Sequence, residues 1–264
     1  MFKIVRTFVL AFCAISFFAC KSVETTTLTI VQYNVGVFDK YDESGFNAIA
    51  SAVREMGADV VTLNELDSCT LRTGGVFQLD AFAQEMGQWG SHYASAMPYN
   101  GGAYGVGVAY KPEYKVIRTD KIALPKVDGR EPRTVAVVEF EDFVLCSTHL
   151  GLSLNSQLGQ VEAINRYMDS MYADCTKPIF LGGDFNCRPG SEPIELLKKT
   201  WTLLTPETVS FPSHAPDRCI DYIFVRPGGK EITVEAASIP QTLQTVNLAT
   251  ASDHLPVALT VRVK

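Results

Sequence analysis

The chain has 264 residues, 47% of them apolar and 10% aromatic, with a net charge of −6. That is enough apolar surface for one large core, and it excludes a disordered chain, a collagen or a coiled coil. The acidic balance, without a dense lysine and arginine cluster, argues against an extended nucleic-acid footprint, though a local site can still be positive.

Residues 1–19 read as a targeting segment outside the fold. Lys3 and Arg6 form a basic start, and Thr7–Ala19 is an apolar run too short for a comfortable membrane span. Ala19-Cys20 closes it and resembles a bacterial lipoprotein signal, in which Cys20 is lipidated and becomes the new N-terminus. Phe17 departs from the usual small-aliphatic pattern of that signal. An ordinary signal peptide cut nearby and an uncleaved anchor are the alternatives. The expected organisation is a signal over 1–19, a lipidated tether over 20–26 and one domain over 27–264. Cys20 would then attach a monomer to a membrane of the cell envelope. Without residues 1–19 the chain keeps 21 basic and 29 acidic residues, net −8.

Leu28–Val35 alternates as a strand. Ser44 is a candidate cap for a helix through Met56, with Phe46, Ile49, Ala50 and Val53 at helical spacing and Gly57 as its stop. Asp59–Leu63 is a second strand ending in Asn64-Glu65, so the three elements make a crossover unit. A shorter helix over Leu79–Met86 and a strand over His92–Met97 follow. Pro98–Gly105, rich in glycine and tyrosine, reads as a loop before the strand Val106–Tyr110. Val116–Ile122 is a strand and Lys126–Pro132 a polar loop with Arg133 at its exit. Thr134–Phe140 and Phe143–Leu150 form a hairpin that ends in Thr148-His149-Leu150. Ser156 is the candidate cap of the longest helix, to about Tyr172, with an apolar stripe of Leu158, Val161, Ile164, Met168 and Met171.

Ile179–Leu181 is a short buried strand that runs into Gly182-Gly183-Asp184-Phe185-Asn186. The glycines end the strand and let the backbone approach a neighbour. In an extended segment Asp184 and Asn186, two residues apart, point the same way. Pro193 starts a short helix through Lys199. Thr205–Arg218 is a loop, Ile220–Val225 and Ile232–Ala236 are strands, and Ser252-Asp253-His254-Leu255-Pro256 precedes the last strand, Val257–Val263. About ten strands with three or four helices suggest two mixed sheets packed face to face, with helices outside. Beyond Cys20 the fold holds Cys69, Cys146, Cys175, Cys187 and Cys219, with no CxxC spacing. Free buried thiols are the preferred reading, since an odd count leaves at least one unpaired.

Polar residues stand at the ends of six strands: Asn34, Glu65, His149, Asp184 with Asn186, Asp221, and Asp253 with His254. Each has an ordinary explanation alone, as a turn residue or surface acid. Asp221 is the exception, because an aspartate between Ile220 and Tyr222 needs a partner if buried. Together they supply carboxylates and amides for a hard cation and histidines for proton transfer near neutral pH. His92 and His214 lie outside this pattern and read as structural or surface residues.

The segments YNV, NE, THL, GDFN, IDYIFV and SDHLP, in that order, resemble the endonuclease/exonuclease/phosphatase superfamily of metal-dependent phosphoesterases. The resemblance spans about Thr27–Lys264. It implies a four-layer α/β sandwich with the site at one end of the two sheets. It also implies Glu65 as the main ligand of Mg²⁺, with Mn²⁺ as an alternative and with Asn34 and Asp253 near the ion. Asp184 would activate the attacking water, and Asn186 would hold a phosphate oxygen. Asp221 would fix the tautomer of His254, and His149 would donate to the phosphate or leaving group. Arg133, in Glu-Pro-Arg, would bind substrate anion at the rim; a surface salt bridge is the other reading. The expected activity is hydrolysis of a lipid-linked or small phosphoester. A nuclease of the same chemistry and an inactive binding protein on the same fold are the alternatives.

Overall fold

The computed structural model describes residues 25–264. Lys3, Arg6 and Cys20 lie outside the described residues, so the signal and lipidation expectations do too. The first strand, β1 (Thr26–Asn34), starts inside the expected tether, with Thr26 already paired to Val263.

One sheet joins β1 to β2 (Val60–Ser68), β3 (Gly90–Tyr99), β4 (Gly102–Tyr110), β11 (Ile232–Ser238) and β12 (Val257–Val263), in the order β11-β12-β1-β2-β4-β3. The other joins β5 (Val116–Leu124), β6 (Arg133–Phe140), β7 (Val144–His149), β8 (Ile179–Asp184), β9 (Thr202–Leu203) and β10 (Asp221–Arg226), in the order β5-β6-β7-β8-β10-β9. The helices are α1 (Phe46–Glu55), α2 (Gln78–Glu85), α3 (Leu154–Met171), α4 (Glu192–Lys198) and α5 (Leu248–Ala251). The expected sandwich of two mixed sheets with outer helices is the fold observed. Its parallel pairs, β1–β2 and β7–β8, are the ones joined by α1 and α3, because parallel neighbours need a crossover.

Strand alternation builds the layers. In β10, Ile223 and Val225 face the other sheet and pack with Phe180, Val61 and Leu259. Tyr222 and Phe224 face outward, onto the core formed with Val161 and Ile164 of α3 and Ile194 and Leu197 of α4. Met171 of the expected α3 stripe is exposed instead. Two expected caps have other work. The Ser44 hydroxyl accepts from Tyr41 N at 3.0 Å, and Gly45 flanks α1. α3 begins two residues before Ser156, whose buried Oγ accepts from the backbone N–H groups of Asp128 and Gly129. The five described cysteines are all free, but only Cys146, Cys187 and Cys219 are buried as expected, while Cys175 is half-buried and Cys69 exposed. The imidazole of His92 bonds the Asp120 carbonyl at 3.0 Å.

Two expectations about glycine need correction. Pro98–Gly105 is a hairpin rather than a loop, because β3 and β4 continue to the pair Tyr99–Gly102. Asn100-Gly101 turns it with φ of 44° and 84°, the positive values that a two-residue hairpin turn demands. Gly182 and Gly183 lie within β8, not at its end. A Cβ on Gly182 would stand 2.4 Å from Thr62 Oγ1 of the facing sheet, and one on Gly183 would stand 2.3 Å from the Thr148 carbonyl. The bare backbone is what lets the sheets close at this end. Gly182→Ala is expected to destabilise the fold by about 1–3 kcal/mol through overpacking, read as a lower midpoint in urea unfolding. An unchanged midpoint would mean the sheets are not in contact there.

Candidate active site

The ends of β1, β2, β7 and β8 and the start of β10 meet at one edge of the sandwich, and Asp253-His254 closes it ahead of β12. Two backbone irregularities aim the side chains. β2 carries a bulge between Leu63 and Leu66, and Glu65 there has φ 57°. Such a bulge re-aims side chains, so Asn64 is buried between the sheets while Glu65 turns to the pocket. Asn186 has φ 52°, so Asp184 and Asn186 do not share a face by strand alternation. They meet because the Asn186 N–H donates to Asp184 Oδ1 at 2.9 Å, an Asx-type turn.

Asp184 is the centre of the cluster and is buried. Its Oδ2 lies 3.5 Å from His149 Nε2 and 3.6 Å from His254 Nε2, and it accepts from Asn34 Nδ2 at 3.1 Å. Burial pushes its carboxyl up to about 7, against the pull of His254. His254 Nδ1 donates to Asp221 Oδ2 at 2.8 Å, and that carboxylate also accepts from Ser210 Oγ at 2.6 Å and Gln32 Nε2 at 3.3 Å. Burial opposes the charge on His254, but Asp221 and Asp184 outweigh it and raise the ring to about 9. His149 goes the other way. Burial, with Arg133, His254 and Lys40 adding repulsion, holds it well below 6.5, so it is neutral at pH 7. The Asn186 amide donates both to the Leu150 carbonyl at 3.1 Å and towards His149 Nε2 at 3.0 Å. Those contacts fix the amide and make Nε2 the acceptor.

The residues expected near a cation also converge. Asn34 Nδ2 donates to Glu65 Oε1 at 3.2 Å, while its Oδ1 accepts from Gly36 N at 3.1 Å. In this arrangement Asn34 organises the carboxylates and its own oxygen is engaged. Glu65 and Asp253 are partly exposed at the pocket and share Lys40, whose Nζ lies 3.8 Å and 3.1 Å from them. Asp184, Asp221 and His254 also stand close enough together to hold an ion, but Asp221 and His254 are committed to each other. The pair Glu65 and Asp253 offers oxygen donors engaged by Lys40 and, on their other oxygens, by Asn34 and Ser252, a donor set that suits a hard divalent cation.

The sequence profile of the Endonuclease/Exonuclease/phosphatase family matches residues 31–254. The chain belongs to that family. No curated protein matches it significantly in sequence. Among solved structures it is similar to a mannosyl-6-phosphatase of Bacteroides thetaiotaomicron, at 16% identity and a TM-score of 0.73, covering 89% of this chain and 99% of that one. It is also similar to ANGEL2, a 2',3'-cyclic phosphatase, at 14% identity and a TM-score of 0.69, covering 91% and 96%. The human Nocturnin catalytic domain, with bound sulfate anion, gives 14% identity and a TM-score of 0.68, covering 91% and 97%. At these identities the likeness concerns the fold. Membership of the family makes this chain a hydrolase of phosphoester bonds.

Every site residue expected from the sequence lies in or against one pocket of about 480 Å³, Asn34 and Asp221 behind its wall. Arg133 is buried in that wall rather than free at a rim, paired with Glu131 at 3.1 Å. The sequence reading missed Gln32, Asn64, Lys40, Arg72 and Ser210. Gln32 carried the same signal as Asp221, a polar residue in an apolar strand. Arg72 carried none, because it reaches the pocket only by bonding Asp67 at 2.7 and 2.8 Å and stacking 4.5 Å from the Tyr99 ring centre.

Because Asp221 supports the charge on His254, Asp221→Asn is expected to lower turnover by about 10²–10⁴-fold and to move the His254 titration down from about 9. The sign is that of a raised base. Stability from this charge is complete below 6.5 and is lost as the pH rises through about 9. Ring chemical shifts followed against pH check it, and an unmoved His254 titration would rule the coupling out.

Proposed function

We propose that this protein is a divalent-metal-dependent phosphoesterase that cleaves a small or lipid-linked phosphoester by in-line attack of water. The observation that carries the reading is the buried Asp184 carboxylate, held between one neutral and one charged histidine on the pocket floor. Near its raised pKa, Asp184 can take a proton from water at neutral pH. The His254 imidazolium faces the same space and holds a phosphoryl oxygen as charge develops, and the Asn186 amide can join it only by giving up its N–H bond to His149. His149 Nε2 keeps that amide in place. A divalent cation held by Glu65 and Asp253 supplies further charge neutralisation, and the all-oxygen donor pair favours Mg²⁺ or Mn²⁺ over zinc.

The pocket's size and charge favour a small ester over duplex DNA. Each basic residue lining it already has a carboxylate partner: Lys40 with Asp253, Arg72 with Asp67, Arg133 with Glu131 and Arg218 with Asp217. A duplex nuclease needs several cations free for phosphates. One structural neighbour is named a mannosyl-6-phosphatase and another a 2',3'-cyclic phosphatase, phosphatase rather than nuclease names. The basic start, apolar run and Cys20 of residues 1–20 support attachment to the cell envelope as a lipoprotein.

Turnover should cease in EDTA and return with Mg²⁺ or Mn²⁺, and Asp184→Asn should lower it by about 10²–10⁴-fold. In a panel of sugar phosphates, sphingomyelin, phospholipids and plasmid DNA at one salt concentration, the small and lipid esters should be cleaved in preference. Efficient DNA cleavage at physiological salt with the small esters untouched would replace this reading with the nuclease one. Cys20→Ser should leave the membrane fraction and keep its turnover; retention in the membrane would refute lipidation at Cys20.

A further inference from the structure

Lys40 is placed at the Glu65–Asp253 pair by an unusual piece of backbone. Gly36, Val37 and Phe38 all have left-handed φ, at 52°, 53° and 55°. Residues with a Cβ rarely adopt it, and such strain persists only where the surroundings enforce it. Here they do. Gln78 Nε2 donates to the Val37 carbonyl at 2.5 Å, and the Phe38 ring packs 4.6 Å from Phe46 and 5.8 Å from Phe82.

The turn brings the chain back over the pocket. The stem of Lys40 then lies along the bare face of Gly36, where a Cβ would stand 2.4 Å from Lys40 Cγ and 2.9 Å from Cε. Nζ ends 3.1 Å from Asp253 Oδ2 and 3.8 Å from Glu65 Oε2. A divalent ion bound by those oxygens sits about 2.0–2.6 Å from them. Ion and ammonium would then be a few ångströms apart, with like charges and the same partners.

We propose that Lys40 is a built-in competitor for the divalent cation: its ammonium and the ion exclude each other at Glu65 and Asp253, and the lysine sets how weakly the ion binds. The inference rests on the metal-dependent reading above. It also gives the strained turn a purpose, since the turn lays the lysine stem along Gly36 with Nζ at the carboxylates. A lysine serving only as a surface contact would leave metal affinity unchanged when its charge is removed.

The test is calorimetric titration of Mn²⁺ into the purified full chain, without substrate. Lys40→Met keeps the aliphatic stem along Gly36 and removes the charge, so it should bind Mn²⁺ about 10- to 100-fold more tightly than the wild type. Lys40→Arg keeps a competing cation and should stay near the wild type, and Glu65→Gln should weaken binding. Lys40→Met binding no tighter, with Glu65→Gln still weakened, overturns the competitor and leaves the metal reading standing. Affinity unchanged in Glu65→Gln places the ion elsewhere and overturns both.

Discussion

The site depends on a buried polar seam between the two sheets, and the Asn64 side chain is its central link. Its Nδ2 donates to the Thr148 carbonyl at 2.7 Å, and its Oδ1 accepts from the Asp184 N–H at 3.0 Å and from Gln32 Nε2 at 2.6 Å. Thr62 Oγ1 donates to Gln32 Oε1 at 2.7 Å, and Ser147 Oγ donates to the Leu63 carbonyl at 3.1 Å. Each bond crosses from one sheet to the other or ties down a residue that does. Away from this end the sheets meet mainly through apolar side chains, which tolerate sliding, with the His92–Asp120 bond as an exception. Hydrogen bonds in a water-poor interior are directional and costly to leave unmade. The seam therefore fixes the relative position of the sheets at the one end where Asn34 and His254 of one must meet Asp184 and Asp221 of the other.

That registration explains how four ionisable side chains share so small a volume. Asp221 and His254 form a hydrogen-bonded pair, and Asp184 sits against both histidines with a carboxyl raised by burial. The two histidines are driven apart in basicity by what surrounds them. His254 has two carboxylates beside it, and His149 has burial and nearby cations. One fold edge thus holds an acid and a neutral ring side by side, the separation of roles that proton transfer at one pH requires.

The outer part of the pocket follows a different rule. Its cations are all paired and its acids face solvent, so the mouth is close to electrically balanced although the chain is acidic. Lys40 joins the two regions. It is the only cation among the described residues that lies between the two carboxylates suited to a metal, and it arrives there by a turn that costs backbone strain.

Much of this was legible in the sequence. Apolar alternation and strand-end chemistry identified the sandwich, and GDFN, SDHLP, THL and IDYIFV identified the family and its reacting groups. Asp221 was legible for a physical reason, since an aspartate in an apolar strand demands a partner. What the sequence determined by itself was therefore the local part: which segments become strands and helices, and which polar residues stand at their ends. Tertiary structure alone decided the rest. Left-handed backbone at Glu65 and Asn186, rather than strand alternation, aims those side chains. Gly182 meets Thr62 only because two strands 120 residues apart face each other. Lys40 and Arg72 looked like ordinary surface cations, because their roles come from partners distant in the chain, and no local pattern encodes a contact made by packing two sheets together.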